Sequence, residues 1–154
     1  MALALQTFSD GGARGNPGPA AIGVVLCDER HKVVHETAEC IGQATNNQAE
    51  YRAMILALTL AHERGATRLE CHADSELLVF QLQGRYRIKD FHLKSLAEKV
   101  KSLASRFESI VFRQIPRESP MIARADKLLN QALNRAGATA RDPLRRGPGP
   151  DELF

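Results

Sequence analysis

The sequence predicts an α/β domain built on a mixed five-stranded sheet, and three observations carry that expectation. Three β-rich segments follow one another near the N-terminus before any helical period begins. Strand-like and helix-like segments then alternate to residue 136, as in a sheet crossed by helices. A chain of 154 residues with 44% hydrophobic side chains is long enough to enclose one sizeable core without needing a second domain.

The elements follow in order. Leu3 to Phe8 reads as a buried strand, and Gly11-Gly12-Ala13-Arg14-Gly15-Asn16-Pro17-Gly18 reads as a loop that leaves Asp10 at the strand end. Ala20–Cys27 and Lys32–Ile41 then form an antiparallel hairpin across the polar Asp28-Glu29-Arg30. Thr45 or Asn46 caps a long helix whose apolar positions include Tyr51, Met54, Ile55 and Leu58, and Gly65 ends it. Leu69–Ala73 is a short strand leading to Asp74, and Ser75 to about Leu82 is a second helix stopped by Gly84. Asp90 caps a third helix with an apolar face of Leu93, Leu96, Val100, Leu103 and Phe107. Ser109–Ile115 is the fifth strand, residues 116–121 a loop, and Ile122–Ala136 the last helix. The strand-to-helix crossovers make the first, fourth and fifth strands parallel neighbours. Residues 1–137 thus form the domain, and 138–154 shift to Pro, Gly and Arg, a tail composition.

Charge is divided along the chain. Residues 1–84 carry 6 Lys/Arg against 10 Asp/Glu, a balance of −4, whereas residues 85–154 carry 15 against 8, a balance of +7. An acidic half beside a basic one suits a cation site next to a polyanion surface. No apolar stretch reaches the roughly 18 residues that span a bilayer, and the N-terminus lacks the pattern of a secretory signal, so a cytoplasmic location with no membrane partner is expected. Cys27, Cys40 and Cys71 lie in strand-like apolar surroundings and are expected as buried free thiols. The five scattered histidines form no zinc spacing.

The chemistry concentrates on four acids. Asp10 and Asp74 fall at the carboxyl ends of neighbouring parallel strands, where ligands gather in open α/β sheets. Glu50 interrupts an apolar helix face, and Asp126 lies about one turn into the last helix. Taken singly, each reads equally as a turn or helix-surface acid. Together in one concavity they would repel one another, which implies bound cations, and an all-oxygen donor set suits Mg²⁺ or Mn²⁺. A pair of such ions is the standard device of phosphoryl transfer.

Four stretches resemble type 1 ribonuclease H: Asp10-Gly-Gly-Ala-Arg-Gly-Asn-Pro-Gly-Pro19, Thr45-Asn-Asn-Gln-Ala-Glu50, Asp74-Ser75-Glu76-Leu77 and Ala125-Asp126-Lys127-Leu128. The resemblance covers residues 3–136. It implies the ribonuclease H-like fold and hydrolysis of the RNA strand of RNA·DNA hybrids, leaving 5′-phosphate and 3′-hydroxyl ends. It also implies Asp10, Glu50, Asp74 and Asp126 as catalytic ligands of two Mg²⁺ ions, with Mn²⁺ as a substitute.

The expected hybrid contacts are Gly11, Gly12, Ala13, Arg14, Gly15 and Asn16, whose bare backbone would approach the RNA 2′-hydroxyls, with Thr45, Asn46, Asn47, Ser75 and Glu76. Thr45 resembles the family's contact to a DNA-strand phosphate, beside Gln43 where some relatives carry arginine. The loop before Asp126 lacks the histidine many relatives carry, leaving Arg117 or Glu118 as auxiliary groups. Ile122 stands where a subset has asparagine. The segment from Gln83 to Leu93 is too short for the extra basic helix of some members, with Arg85, Arg87, Lys89 and Lys94 as partial replacements. His72 reads as a structural imidazole, and Tyr86 and Phe91 as core or rim packing. A monomer without an obligate protein partner is expected. The competing readings are a hybrid- or double-stranded-RNA-binding module with weak catalysis, and another nuclease of the same fold.

Overall fold

In the computed structural model, which describes residues 2–137, the chain forms a five-stranded sheet of order β3-β2-β1-β4-β5 with helices on both faces. The strands are β1 (Ala4–Ala13), β2 (Gly18–Cys27), β3 (Val33–Ala44), β4 (Arg68–Ala73) and β5 (Ser109–Gln114). The helices are α1 (Asn46–Glu63), α2 (Glu76–Leu82), α3 (Phe91–Ala104) and α4 (Pro120–Arg135). β1, β2 and β3 are antiparallel, and β1, β4 and β5 run parallel, as expected.

Alternation along β1 divides the core. Leu5 faces the α1 side and joins Tyr51, Met54 and Leu58 of α1, Leu69 and Cys71 of β4 and Val100 of α3. Phe8 faces the other side and packs with Val25, Ile122 and Ala125 beneath α4. β2 is covered on both faces, which explains its nearly unbroken run of apolar and small residues. A buried polar pair ties the helices of the first layer: Tyr51 Oη donates to Gln81 Oε1 at 2.6 Å, and Gln81 Nε2 donates to the Arg87 carbonyl at 3.3 Å.

Three local expectations need correction. β1 does not stop at Phe8: it continues through Asp10 to Ala13, because Asp10 pairs with Gly23, Gly11 with Ile22 and Ala13 with Ala20 of β2. The first part of the expected glycine loop is therefore strand, and only residues 14–17 turn. α4 begins at Pro120 rather than Ile122, since proline's fixed φ suits the first helical position, so Asp126 lies nearly two turns in. Cys27 and Cys71 are buried free thiols, but Cys40 is only half-buried, with Sγ directed to the Ala132 carbonyl at 3.5 Å.

Other details follow the sequence closely. Thr45 caps α1 in a full capping box with Gln48, and Ser75 and Asp90 cap α2 and α3 through bonds to Leu78 N–H and Leu93 N–H. No helix lies between α2 and α3, so an inserted basic helix is absent from this part of the described chain. Ile122, where a subset of relatives has asparagine, is wholly buried core. No helix among the described residues is long and apolar enough to cross a membrane. The 138–154 tail lies outside the described residues.

Candidate active site

Four elements deliver one acid each to a cleft of about 370 Å³ lined by Asp10, Glu50, Asp74 and Asp126. Asp10 projects from β1 just beyond Phe8, where β1 and β4 cease to pair. Asp74 follows the last residue of β4 and is fastened from β5: Gln114 Nε2 donates to its carbonyl at 3.2 Å, and Ile115 N–H donates to the Ala73 carbonyl at 3.0 Å. Glu50, in the second turn of α1, accepts the Gly11 N–H at 2.9 Å.

Two glycines set how near the helices come. A Cβ on Gly11 would lie 2.3 Å from the Ala49 carbonyl group and 2.6 Å from Glu50 N, so the N-terminal part of α1 rests on bare β1 backbone. A Cβ on Gly23, the cross-strand partner of Asp10, would lie 2.3 Å from the Ala125 oxygen of α4. Asp126 follows Ala125 and lines the same cleft, where its charge acts on Asp10.

The electrostatics are those of acids crowded out of water. Carboxylate oxygens of Asp10, Glu50 and Asp74 all lie within 4.8 Å of one another. Burial first, then Asp74 and Asp126, push the Asp10 carboxyl up to about 8. Burial and the charges of Asp10 and Asp74 hold Glu50 well above the ordinary carboxylate range. Burial also raises Asp74, against the opposing pull of Arg117. Asp74 Oδ1 is buried and has no hydrogen-bond partner. An unpartnered oxygen among mutually repelling carboxylates, with neither nitrogen nor sulfur in the set, fits a hard divalent cation.

The expected substrate surface divides into parts. Gly12, Ala13 and Arg14 line the cleft, as does Arg117 from the loop before α4. Gly11 lines the cleft too, with its α carbon pressed against the start of α1. Gly15 has a φ of 103° and closes the turn. Asn16 and Asn46 are engaged with each other and with β1: Asn46 N–H donates to Asn16 Oδ1 at 3.0 Å, and Ala13 N–H donates to Asn46 Oδ1 at 2.9 Å. The Thr45 and Ser75 hydroxyls accept capping bonds. Asn47, Glu76 and Glu118 are exposed.

His72 is structural: buried, stacked on Phe8 with ring centroids 4.5 Å apart, and bonded to the Thr7 carbonyl and to Glu70. Tyr86 meets Phe80 edge-on but is 46% exposed, and Phe91 is 87% exposed, so the expected packing fails for Phe91. The sequence reading overlooked Asn130, which lines the cleft one helical turn beyond Asp126; that i+4 spacing was the available signal.

A family model described as reverse transcriptase-like matches residues 8–132. The chain belongs to this family of ribonuclease H-like domains. It is 39% identical over 132 residues to the Ribonuclease HI of Halobacterium salinarum, covering 86% of this chain and 65% of that protein. It is 41% identical over 133 residues to the Bifunctional protein Rv2228c of Mycobacterium tuberculosis, covering 86% of this chain but 36% of that one. This ribonuclease H-like chain thus spans about a third of the mycobacterial relative's length and just under two thirds of the halobacterial one's.

Solved structures agree on the fold. The N-terminal RNase H domain of the mycobacterial protein, solved as a fusion with maltose-binding protein, superposes with a TM-score of 0.84 at 39% identity, covering 88% of this chain and 97% of that one. LC11-RNase H1, solved in complex with an RNA/DNA hybrid, superposes at 0.81 with 42% identity, covering 87% and 99%.

Proposed function

We propose that this chain is a ribonuclease H that cuts the RNA strand of RNA·DNA hybrids endonucleolytically, without reading base sequence. The observation that carries the reading is the close set of Asp10, Glu50 and Asp74 with Asp126 beside them, in a domain of this family. The relative solved with an RNA/DNA hybrid supports the substrate.

Asp10, Glu50 and Asp74 would hold one Mg²⁺ and Asp10 with Asp126 a second, Mn²⁺ serving as a substitute. When bound, such ions lower the pKa of an attacking water and neutralise charge on a departing oxygen. The rest belongs to the chain's own groups. Asp10 would be the shared ligand, because its carboxylate lies within 4.8 Å of those of Glu50 and Asp74 and the Asp126 charge also acts on it. Gln114 and the Gly11 N–H hold Asp74 and Glu50 in place, so the acids need not reorganise as charge develops. Water adds to the phosphorus of the RNA strand and the bond to the 3′ oxygen breaks; that oxygen takes up a proton, leaving 3′-hydroxyl and 5′-phosphate ends.

Arg117, whose charge acts on Asp10 and Asp74, serves as the auxiliary group where relatives carry histidine, with Glu118 next to it. Residues 1–137 constitute the catalytic domain, acting as a cytoplasmic monomer. Gly12, Ala13, Asn47, Ser75 and Glu76 face the hybrid, with Thr45 at a DNA-strand phosphate.

Labelled RNA·DNA hybrid, duplex DNA, duplex RNA and single strands incubated with the protein and Mg²⁺ at one ionic strength test the reading. Fragments from the RNA of the hybrid alone are expected. Wild-type protein that leaves the hybrid intact, or cuts DNA as readily, overturns it.

A further inference from the structure

The acidic cleft contains a second arrangement, built from the turn after β1 and from α4. Arg14 is fixed at its backbone: its N–H donates to the Pro19 carbonyl at 2.8 Å, and Gly18 packs so closely that a Cβ there would lie 2.2 Å from the Arg14 oxygen. Its side chain crosses to α4, where Nη2 donates to Asn130 Oδ1 at 3.2 Å and to the Asn130 carbonyl at 3.3 Å. Asn130 in turn donates its Nδ2 to the Asp126 carbonyl at 2.9 Å. That bond decides which way the amide faces, since a side chain donating to the preceding turn of its own helix presents its oxygen to the guanidinium. One chain of hydrogen bonds therefore runs from the helix that carries Asp126, through Asn130, to a cation on the wall of the same cleft.

Charge gives this arrangement a purpose. Four acids and two arginines, Arg14 and Arg117, line the cleft, so a polyanion entering it meets repulsion except at those cations. Arg117 acts on Asp10 and Asp74, at the loop side of the site. Arg14 stands against α4. A guanidinium fork matches the paired oxygens of a phosphodiester in a way an ammonium does not, provided its direction is fixed beforehand.

We infer that Arg14 grips a backbone phosphate of the strand being cut, and that Asn130 is the positioning residue that aims it. The inference rests on the hybrid-cleaving reading and deepens it. It makes grip on the substrate depend on the same turn of α4 that places Asp126, so the phosphate is registered relative to that carboxylate.

The test is binding of labelled hybrid in Ca²⁺ as a function of salt, with cleavage in Mg²⁺ and melting temperature measured in parallel. Arg14→Ala is expected to weaken hybrid binding about tenfold and to reduce the slope of log affinity against log salt by about one, the signature of one lost phosphate contact. Asn130→Ala is expected to weaken binding about fourfold in the wild-type background and to add nothing in the Arg14→Ala background, because it acts through that residue. Arg14→Lys keeps the charge but loses the fork, and falls between wild type and alanine. Asn130→Gln keeps both the acceptor and the amide donor on a side chain one methylene longer, and recovers part of the affinity lost in Asn130→Ala.

Additive losses in the double variant, or an unchanged salt slope in Arg14→Ala, overturn the inference while leaving the hydrolase reading intact. Wild-type protein that neither binds nor cuts hybrid overturns both. A variant that melts well below wild type is replaced in the comparison by its conservative partner, Arg14→Lys or Asn130→Gln.

Discussion

Replacing Asp10 with asparagine should stabilise the metal-free protein while abolishing its activity, and the gain should grow with pH. Asp10 is 7% exposed and carries a carboxyl raised from 3.8 to about 8 by burial, then by Asp74 and Asp126. A folded pKa above the unfolded one means that the native state holds the extra proton. Stability therefore rises as pH falls from about 8 towards 4, and is lost as pH climbs through that window. At about 1.4 kcal/mol per tenfold change, the penalty at pH 7 approaches about 4 kcal/mol, and relaxation with water entry reduces it to roughly 1–3 kcal/mol. The amide of Asp10→Asn mimics the protonated acid and escapes this penalty at every pH. Melting in EDTA should show the variant above wild type by several degrees at pH 8, by about 3–5 °C per kcal/mol for a domain of this size, with the difference shrinking towards pH 5. Mg²⁺ should raise the wild-type melting temperature and move the variant much less, since a ligand that binds only the native state stabilises it. A difference that does not change with pH, or a variant that melts below wild type at pH 8, would refute the electrostatic account of the site.

Other perturbations probe its construction. Gly23→Ala should cost roughly 1–3 kcal/mol and most of the activity, because its Cβ meets the Ala125 oxygen of α4 at 2.3 Å and must displace Asp126; Gly12→Ala, whose Cβ meets only Leu129 Cδ1 at 3.6 Å, should melt close to wild type. Arg117→Ala should lower kcat about tenfold with little change in melting temperature, since the side chain is exposed yet its charge reaches Asp10 and Asp74; steady-state kinetics and thermal melting separate the two effects. Truncation after Gly137 should retain cleavage and melt within about 2 °C of the full chain, but bind hybrid with a shallower salt dependence, having lost Arg141, Arg145 and Arg146.

The four acids were legible in the sequence because each breaks a local pattern: Asp10 and Asp74 follow apolar strands, Glu50 interrupts an apolar helix face, and Asp126 sits between Ala125 and Leu128. Their convergence followed from the order of strands and helices, which is the order the structure has. What stayed hidden was pairing at a distance. Gly11, Gly12 and Ala13 look like a loop until β2 is placed beside them, because glycine favours a turn locally and only the register with Ala21 and Ile22 holds it extended. Gly23 looks like one more small residue of a β-rich run until α4 lies across it. Asn16 and Asn46 read as polar groups awaiting a ligand, whereas much of their hydrogen-bonding capacity joins the turn to α1. Asn130 has no chemical signature of its own; it matters through one helical turn of spacing from Asp126 and the approach of Arg14.

The two close approaches explain how a fold holds together acids that repel. Asp10 and Gly11 are consecutive in β1, so they face opposite sides of the sheet. The first side receives α4 over Gly23, and the second receives α1 over Gly11 itself. Each helix is pressed onto the sheet by its own apolar cluster, Tyr51, Met54 and Leu58 for α1, and Ile122 with Ala125 for α4. At about 2 kcal/mol for each large side chain fully buried, those clusters outweigh the few kcal/mol that burial and carboxylate repulsion together cost at Asp10. The repulsion then cannot relax by separating the helices and is left for a proton or a cation to neutralise. A fold that held Glu50 and Asp126 on mobile loops would relieve the same repulsion by moving apart, and would have no comparable need for a metal. On this account metal affinity depends on packing at residues that touch no metal. Gly11→Ala, which must lift α1 by pushing against the Ala49 carbonyl, should weaken Mg²⁺ binding measured by calorimetry even where the folded state survives, and unchanged affinity in a folded Gly11→Ala protein would contradict it.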